Sequence, residues 1–256
     1  MKALILAAGY GTRLYPLTLN KPKALLKIGD KTILGRILDS VFTIEECDIT
    51  YIVSNKKFYD NFYNWADNQN YKKKIEVLND GTTSNEDRLG AIGDIDFALE
   101  ATGLFDDLLV LGSDNLFEFK LKDFTDFALS KRPNASLALY DIKNIKKAPL
   151  YGIAVLKQKN SEIIDFQEKP ERPKSTLAAT AVYFYPKEKL NLIKEYMKED
   201  LTKDAPGNFV KWLKGREPVY GYVFEENWYD IGDKASLKKA DEEYRKKEGR
   251  KKNEKT

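Results

Sequence analysis

Apolar and polar positions along this chain follow two rhythms. Unbroken apolar runs at 2–8 ("KALILAA"), 48–55 ("DITYIVSN"), 74–79 ("KIEVLN") and 107–115 ("DLLVLGSDN") have the length and the borders of buried strands. Between them apolar residues recur every three or four positions. Ile33, Ile37, Leu38, Val41 and Phe42 predict a helix over 31–43, and 88–101 predicts another. The segment 56–69 is a helix with an aromatic stripe, Phe58, Phe62, Tyr63 and Trp65, assigned to packing. A helix near 121–131 and a strand at 135–142 extend the alternation, so residues 2–142 imply a mostly parallel sheet with helices on both faces.

From about residue 143 the rhythm changes. Strands at 151–158, 161–169 and 177–186 follow one another with short connections, then come helices near 187–199 and 207–214. A strand at 218–224 and a helix at 234–247 lead to "EGRKKNEKT", expected to be a solvated, frayed tail. The pattern predicts one continuous α/β unit carrying a smaller, more antiparallel lobe, with no internal repeat.

Composition narrows the chemistry. The 256 residues carry 43 basic and 40 acidic side chains, a net charge of +3, which gives no case for a nucleic-acid-wrapping surface. A lone cysteine, Cys47, rules out an internal disulfide, and no charged-then-apolar leader opens the sequence, so a soluble cytoplasmic protein is expected. Arg13, Pro16, Lys21, Pro22 and Lys23 interrupt the first apolar stretch, which therefore does not span a membrane. Histidine is absent, which removes imidazole-based triads and the usual zinc sites. Any chemistry must run on carboxylates, lysine, arginine, backbone N–H groups or a hard metal ion.

The first strand runs into "AAGYGTR". At the carboxyl edge of a parallel sheet, where ligands sit, glycines let backbone N–H groups cradle an anion, and Arg13 adds a forked charge for phosphate oxygens. Lys23 follows the backbone-restraining Pro22. The dinucleotide fingerprint fails at Leu14 and the P-loop ending is missing. On spacing alone, a tight turn with a surface arginine fits equally well.

"LAAGYGTRLYPLT" (6–18), followed by "KPKALL" (21–26), resembles the signature of the sugar-1-phosphate nucleotidylyltransferases, the family of glucose-1-phosphate thymidylyltransferases and mannose-1-phosphate guanylyltransferases. "LVLGSDN" (109–115), "FQEKP" (166–170), "ATAVYFYP" (179–186) and "WYDIG" (228–232) match in the same order, so the resemblance spans nearly the whole chain. It implies a Rossmann-like three-layer αβα nucleotidyltransferase fold with a mixed, mostly parallel sheet and a small substrate lobe. Residues 1–245 would form one domain, with 1–142 its nucleotide-binding half, 143–245 its sugar-phosphate half, and 246–256 a charged tail. It implies a reaction between a nucleoside triphosphate and a sugar 1-phosphate that releases pyrophosphate. The sugar phosphate is already an anion near neutral pH, so no strong general base is needed, and catalysis comes from alignment and charge neutralisation.

By the same resemblance, Ala8, Gly9, Gly11 and Thr12 cradle the triphosphate, Arg13 binds the departing pyrophosphate, and Lys23 contacts phosphate near the reacting phosphorus. Asp114 and Asp230 match the family's Mg²⁺ carboxylates. Each aspartate alone also reads as an ordinary turn residue. Lys169 matches the lysine that holds the sugar phosphate, Glu168 the carboxylate that accepts sugar hydroxyls, and Tyr151–Gly152 the turn whose backbone approaches the sugar. Adjacent strand residues point to opposite faces, so Glu168 and Lys169 reach one ligand only if the chain bends there, and Pro170 makes such a break plausible. Otherwise they are an exposed charge pair. Tyr183 and Tyr185 are assigned to the core.

The match weakens at 79–95, "NDGTTSNEDRLGAIGDI", where thymidylyltransferases carry glutamine and this chain has none. Thr83, Ser84, Asn85 and Arg88 are polar groups available to base or ribose, with Gly90 opening the next helix. Asn85 or Ser84 also reads as that helix's N-cap, with Glu86 and Asp87 in its first turn. dTTP or UTP is the expected donor. One rival is a cytidylyltransferase of the same superfamily acting on phosphocholine. Another is a glycosyltransferase, disfavoured because "GSDN" stands where an Asp-x-Asp would. A third is a silent nucleotide-sugar sensor. Self-association into a homo-oligomer stays open at this stage.

Overall fold

The computed structural model of the protein describes residues 1–157 and 159–253; Gln158 and the tail residues 254–256 lie outside the described residues. In chain order the first half comprises β1 (Lys2–Leu6), β2 (Lys27–Ile28), β3 (Lys31–Thr32), α1 (Ile33–Val41), β4 (Ile49–Ser54), α2 (Tyr59–Asp67), β5 (Lys74–Asn79), α3 (Gly90–Thr102), β6 (Leu108–Gly112), β7 (Asn115–Phe117) and α4 (Leu121–Ser130). The second half comprises β8 (Ala135–Asp141), β9 (Gly152–Leu156), β10 (Ile163–Glu168), β11 (Leu177–Tyr185), α5 (Asn191–Lys198), α6 (Pro206–Lys214), β12 (Val219–Phe224), β13 (Trp228–Asp230) and α7 (Lys234–Asn253).

Nine strands share one mixed sheet. Its parallel heart runs β6-β1-β4-β5; antiparallel β11 joins β6 to β9 and β10 on one path and to the parallel pair β8–β12 on another. The order carries the functional geometry. From β1 the chain builds outward through β4 to β5, then returns to lay β6 on the other side of β1. That reversal opens a crevice at the carboxyl ends of β1 and β6, where ligands bind in such sheets. The loop 7–13 and Asp114 follow those two strands.

Both sheet faces are covered, which makes three layers. Ala3 and Ile5 of β1 pack with α1 (Ile33, Ile37, Leu38, Val41), Phe58, Phe62 and α4. Leu4 points the other way, into a second cluster with Ile92, Ile95 and Leu99 of α3, Ile193 and Tyr196 of α5, and Phe209 and Leu213 of α6. Each such side chain, wholly removed from water, contributes roughly 2 kcal/mol before entropy is counted. This two-sided burial is why β1, β4 and β6 read as continuous apolar runs. Tyr183 and Tyr185 are core residues, as expected. In the aromatic stripe of 56–69, Phe58 and Phe62 are buried while Tyr63 stays exposed.

Several boundaries differ from the sequence reading. The helix expected over 31–43 starts at Ile33, because Thr32 accepts a hydrogen bond from Gly35 N (3.0 Å) and caps it, while Lys31–Thr32 pairs with Lys27–Ile28. The run 107–115 breaks at Ser113–Asp114, and its end becomes β7. The helix expected over 187–199 is a short 3₁₀ turn at Lys187–Lys189 followed by α5. The frayed tail expected from Glu248 is instead a continuation of α7 to Asn253, and Glu248 pairs with Arg36 and accepts from Asp30 N (3.2 Å). Among the described residues no helix is long and apolar enough to cross a membrane.

Candidate active site

The loop after β1 is shaped at both ends. Gly11 has φ +62°, a left-handed conformation that costs other residues, and its carbonyl accepts from Thr18 Oγ1 at 2.7 Å. A Cβ at 11 would lie 3.3 Å from Thr18 Cγ2 and 3.5 Å from Lys23 Cβ. Gly11→Ala is therefore expected to cost about 1–2 kcal/mol of stability, read as a fall in urea midpoint at unchanged m. Upstream, Asn55, fully buried at the end of β4, donates Nδ2–H to Ala8 O (2.7 Å), while its Oδ1 accepts from Phe58 N (3.0 Å). Ala8 is thereby fixed between two strands. Thr12 is exposed and starts a 3₁₀ turn, and Arg13, also exposed, lays its guanidinium against Gly232, with Nη1 3.4 Å from where a Cβ at 232 would stand.

Lys23 and Asp114, 91 positions apart in sequence, meet at 2.6 Å (Nζ to Oδ2). Asp114 Oδ1 accepts from Asn115 Nδ2 (2.8 Å), and Asn115 Oδ1 accepts from Trp228 Nε1 (2.8 Å). Trp228 belongs to β13, which pairs antiparallel with β7, so that Asp230 stands opposite Asn115. Ile231 N also donates to Asp114 O (2.9 Å). This two-stranded ribbon brings the two predicted metal carboxylates together beside the glycine loop.

Their electrostatics differ. Burial pushes the Asp114 carboxyl up, but the Lys23 ammonium, its hydrogen bond and that of Asn115 outweigh it and hold the group below the usual carboxylate range. Asp230 takes no hydrogen bond from any described side chain; burial, then the charge of Asp114, push it up to about 6. Two crowded carboxylates, of which Asp230 has both oxygens unspent, suit a hard divalent cation. Among the described residues no third His, Cys, Asp or Glu joins them, as befits an ion that takes its remaining ligands from phosphate and water.

The acceptor-side residues gather on β9 and β10. Gly152 pairs with Glu168, and β10 ends there because Lys169 turns to φ +44° while its N–H donates to Tyr151 O (3.1 Å). This is the bend the sequence required for Glu168 and Lys169 to serve one site. Tyr151 packs edge-on against Trp228, with centroids 5.2 Å apart. The Glu168 carboxyl, pushed up by burial with Lys169 opposing, lies against the first turn of α6, where a Cβ on Gly207 would sit 1.8 Å from its Oε2. A side chain at 207 would displace that carboxylate.

A cavity of about 460 Å³ runs from the glycine loop to Lys169, with Ala8, Gly9, Gly90, Asp94 and Asp114 also on its wall; Arg13, Tyr151, Gly152, Glu168 and Asp230 lie outside that lining. A smaller one shares Gly9 and Asp114 and adds Gly11 and Lys23. Thr83 and Asn85 do not line it, contrary to expectation. Asp87 explains why: its carboxylate accepts from Thr83 N (3.0 Å) and Ser84 N (2.8 Å), which hold it at a pKa of about 2, and Ser84 Oγ accepts from Glu86 N (3.2 Å). Residues 83–87 close on themselves instead of capping α3. The first N–H groups of α3 find distant carbonyls, Ile92 N donating to Lys203 O (3.0 Å) and Ala91 N to Asp204 O (3.4 Å). Arg88 of the same loop does reach the wall, where it pairs with Asp204 at 2.8 Å.

Asn55, Asn115, Gly207 and Asp94 escaped the sequence reading. An asparagine closing an apolar strand, and an aspartate set between the core positions Ile92 and Ile95 of a helix, are the signals that could have found the first and last.

The family model "Nucleotidyl transferase" matches residues 2–247. The chain is 31% identical over 91% of its length to the "Bifunctional protein GlmU" of Methanocaldococcus jannaschii, covering 51% of that protein. It is 30% identical over 90% of its length to a glucose-1-phosphate adenylyltransferase of Fervidobacterium nodosum, covering 57%. It thus spans little more than half the length of these curated relatives. A UDP-glucose pyrophosphorylase solved with UDP-glucose superposes with a TM-score of 0.82 at 21% identity, covering 96% of this chain and 98% of the other, which shows a shared fold. With the match running through both halves of the sheet and past Asp230, the chain belongs to the nucleotidyl transferase family.

Proposed function

We propose that the protein transfers a nucleoside monophosphate from a nucleoside triphosphate, dTTP or UTP, to a hexose 1-phosphate, giving a nucleotide-diphospho-sugar and pyrophosphate in the cytoplasm. One observation carries this reading: a single cavity joins the glycine loop and Asp114 to Lys169, a lysine turned toward that wall by a left-handed residue at a strand end. Such a cleft lets one anionic phosphate meet the loop N–H groups and the Lys169 ammonium together. The names of the relatives, among them a glucose-1-phosphate adenylyltransferase, support a sugar phosphate as acceptor. The choice of dTTP or UTP rests on the chain's resemblance to a family that includes the glucose-1-phosphate thymidylyltransferases.

In this reading a phosphate oxygen of the sugar 1-phosphate attacks the α-phosphorus, a new P–O bond forms, and the α–β bridging bond breaks to release pyrophosphate. The loop N–H groups and Arg13 hold the β- and γ-phosphates, Lys23 neutralises charge near the α-phosphorus, and Lys169 holds the attacking phosphate in line. Glu168 accepts from sugar hydroxyls and is kept in place by α6. Asp114 and Asp230 would hold Mg²⁺, which supplies charge neutralisation on the crowded phosphates.

A panel of hexose 1-phosphates against the five triphosphates, scored by pyrophosphate release, tests it. Turnover with choline phosphate and CTP but with no sugar phosphate would replace the reading with its cytidylyltransferase rival. Lys169→Ala is expected to raise the KM for the sugar phosphate about 30-fold, with the KM for the triphosphate little changed. A defect confined to the triphosphate would show that Lys169 is misassigned.

A further inference from the structure

Asp94 is a buried carboxyl on the cavity wall to which the scheme above gives no work. It stands four residues after Gly90 on α3, so Gly90, Ala91 and Asp94 share the face that lines the cavity, while Ile92, Ile95 and Leu99 turn into the core. A carboxyl there is costly. Asp94 is only 6% exposed, and its Oδ1 is buried without a hydrogen-bond partner among the described residues. Asp80 Oδ2, enclosed as well, faces it from the end of β5, behind the cavity wall that Asp94 forms. Arg88, the cation on this stretch of wall, is engaged by Asp204 (2.8 Å) and by Asn85 O (2.6 Å).

The enclosed oxygens of Asp94 and Asp80 pair with each other when one carboxyl is protonated, which leaves Asp94 Oδ2, hydrogen-bonded to no described residue, for a ligand in the cavity. Burial and the Asp80 charge push Asp94 up to about 8, so near neutral pH the two carboxyls share a proton and Asp94 keeps an acceptor for the cavity. Triphosphate oxygens are repelled by such a corner. A neutral N–H donor is not.

Building on the nucleotidyl-transfer reading, we propose that Asp94, steadied by Asp80, determines nucleotide specificity by accepting a ring N–H of the base, the N3–H of uracil or thymine for the donors named above. Calorimetric titration with UTP, N3-methyl-UTP and inorganic tripolyphosphate tests this without turnover. The protein is expected to bind UTP about 20-fold tighter than its N3-methyl derivative. Asp94→Ala is expected to bring that ratio below about 3, while tripolyphosphate affinity stays within about twofold. Asp94→Asn, closer in size and still an acceptor, should give an intermediate ratio. An unchanged ratio in Asp94→Ala, or an equal loss for tripolyphosphate, overturns the assignment. If neither UTP nor dTTP binds tighter than tripolyphosphate, the donor choice fails by itself. The role of Asp94 is then read on the tightest of CTP, GTP and ATP: relative to tripolyphosphate, a loss of about tenfold upholds it and less than about twofold rejects it.

Discussion

Asp114→Asn is expected to lower kcat for pyrophosphate release by about 10³, the scale typical of removing a group that stabilises transition-state charge, while leaving the fold intact. Asp114 is the meeting point of the contacts beside the glycine loop. It pairs with Lys23 at 2.6 Å, is braced by Asn115 and through it by Trp228, and abuts Asp230 across the β7–β13 ribbon. An asparagine keeps the size and can still accept from one neighbour, but it removes the charge that holds the Lys23 ammonium and that a divalent ion requires. Circular dichroism and thermal melting should match the parent, since Asp114 sits at the cleft and not in either apolar cluster. Retention of more than about a tenth of parental kcat in magnesium would dismiss the assigned role.

That prediction depends on contacts between segments 91 and 115 positions apart, which local pattern does not encode. What was legible was whatever a run of neighbours decides. Two-sided burial makes β1, β4 and β6 apolar throughout, and the glycine loop, "GSDN" and "FQEKP" mark the ends of strands where a chain turns toward a ligand. The break at Pro170 was readable because a strand cannot place Glu168 and Lys169 on one face. The ribbon β7–β13 was not readable: its three-residue strands are stabilised by pairing across the fold.

The helix α3 shows the opposite failure. Ser84 and Asn85 have the chemistry of N-caps, yet Asp87 draws the preceding N–H groups into a local turn, and carbonyls from 203–204 satisfy the helix instead. The sequence carried a correct rule applied to the wrong turn. The aspartate inside that helix was the more telling residue, because an amphipathic reading has no place for a carboxyl between Ile92 and Ile95.

Asp94→Asn is expected to make the protein more stable, and more so the higher the pH. In the unfolded chain the carboxyl titrates near 3.8; in the fold, burial and then Asp80 push it up to about 8. The folded protein therefore keeps a proton that the unfolded chain has lost throughout that interval. The group's contribution is whole below about pH 4, declines as pH rises by about 1.4 kcal/mol per unit, and levels off above about pH 8. Asparagine has nothing to titrate and can donate to Asp80. The gain over the parent should be near zero at pH 4, and by pH 8 reach about 5 kcal/mol, on the order of 10 °C in Tm for a domain of this size. Asp80, itself pushed up by burial, broadens the transition, since the two carboxyls titrate as a pair. Urea unfolding at pH 5, 7 and 9 checks the slope: a difference that is constant with pH means the carboxyl pair does not hold a proton in the fold. A stability gain joined to weaker base discrimination is what a carboxyl retained for binding should give, because the buried carboxyl that strains the fold is also the one whose second oxygen is offered to the ligand.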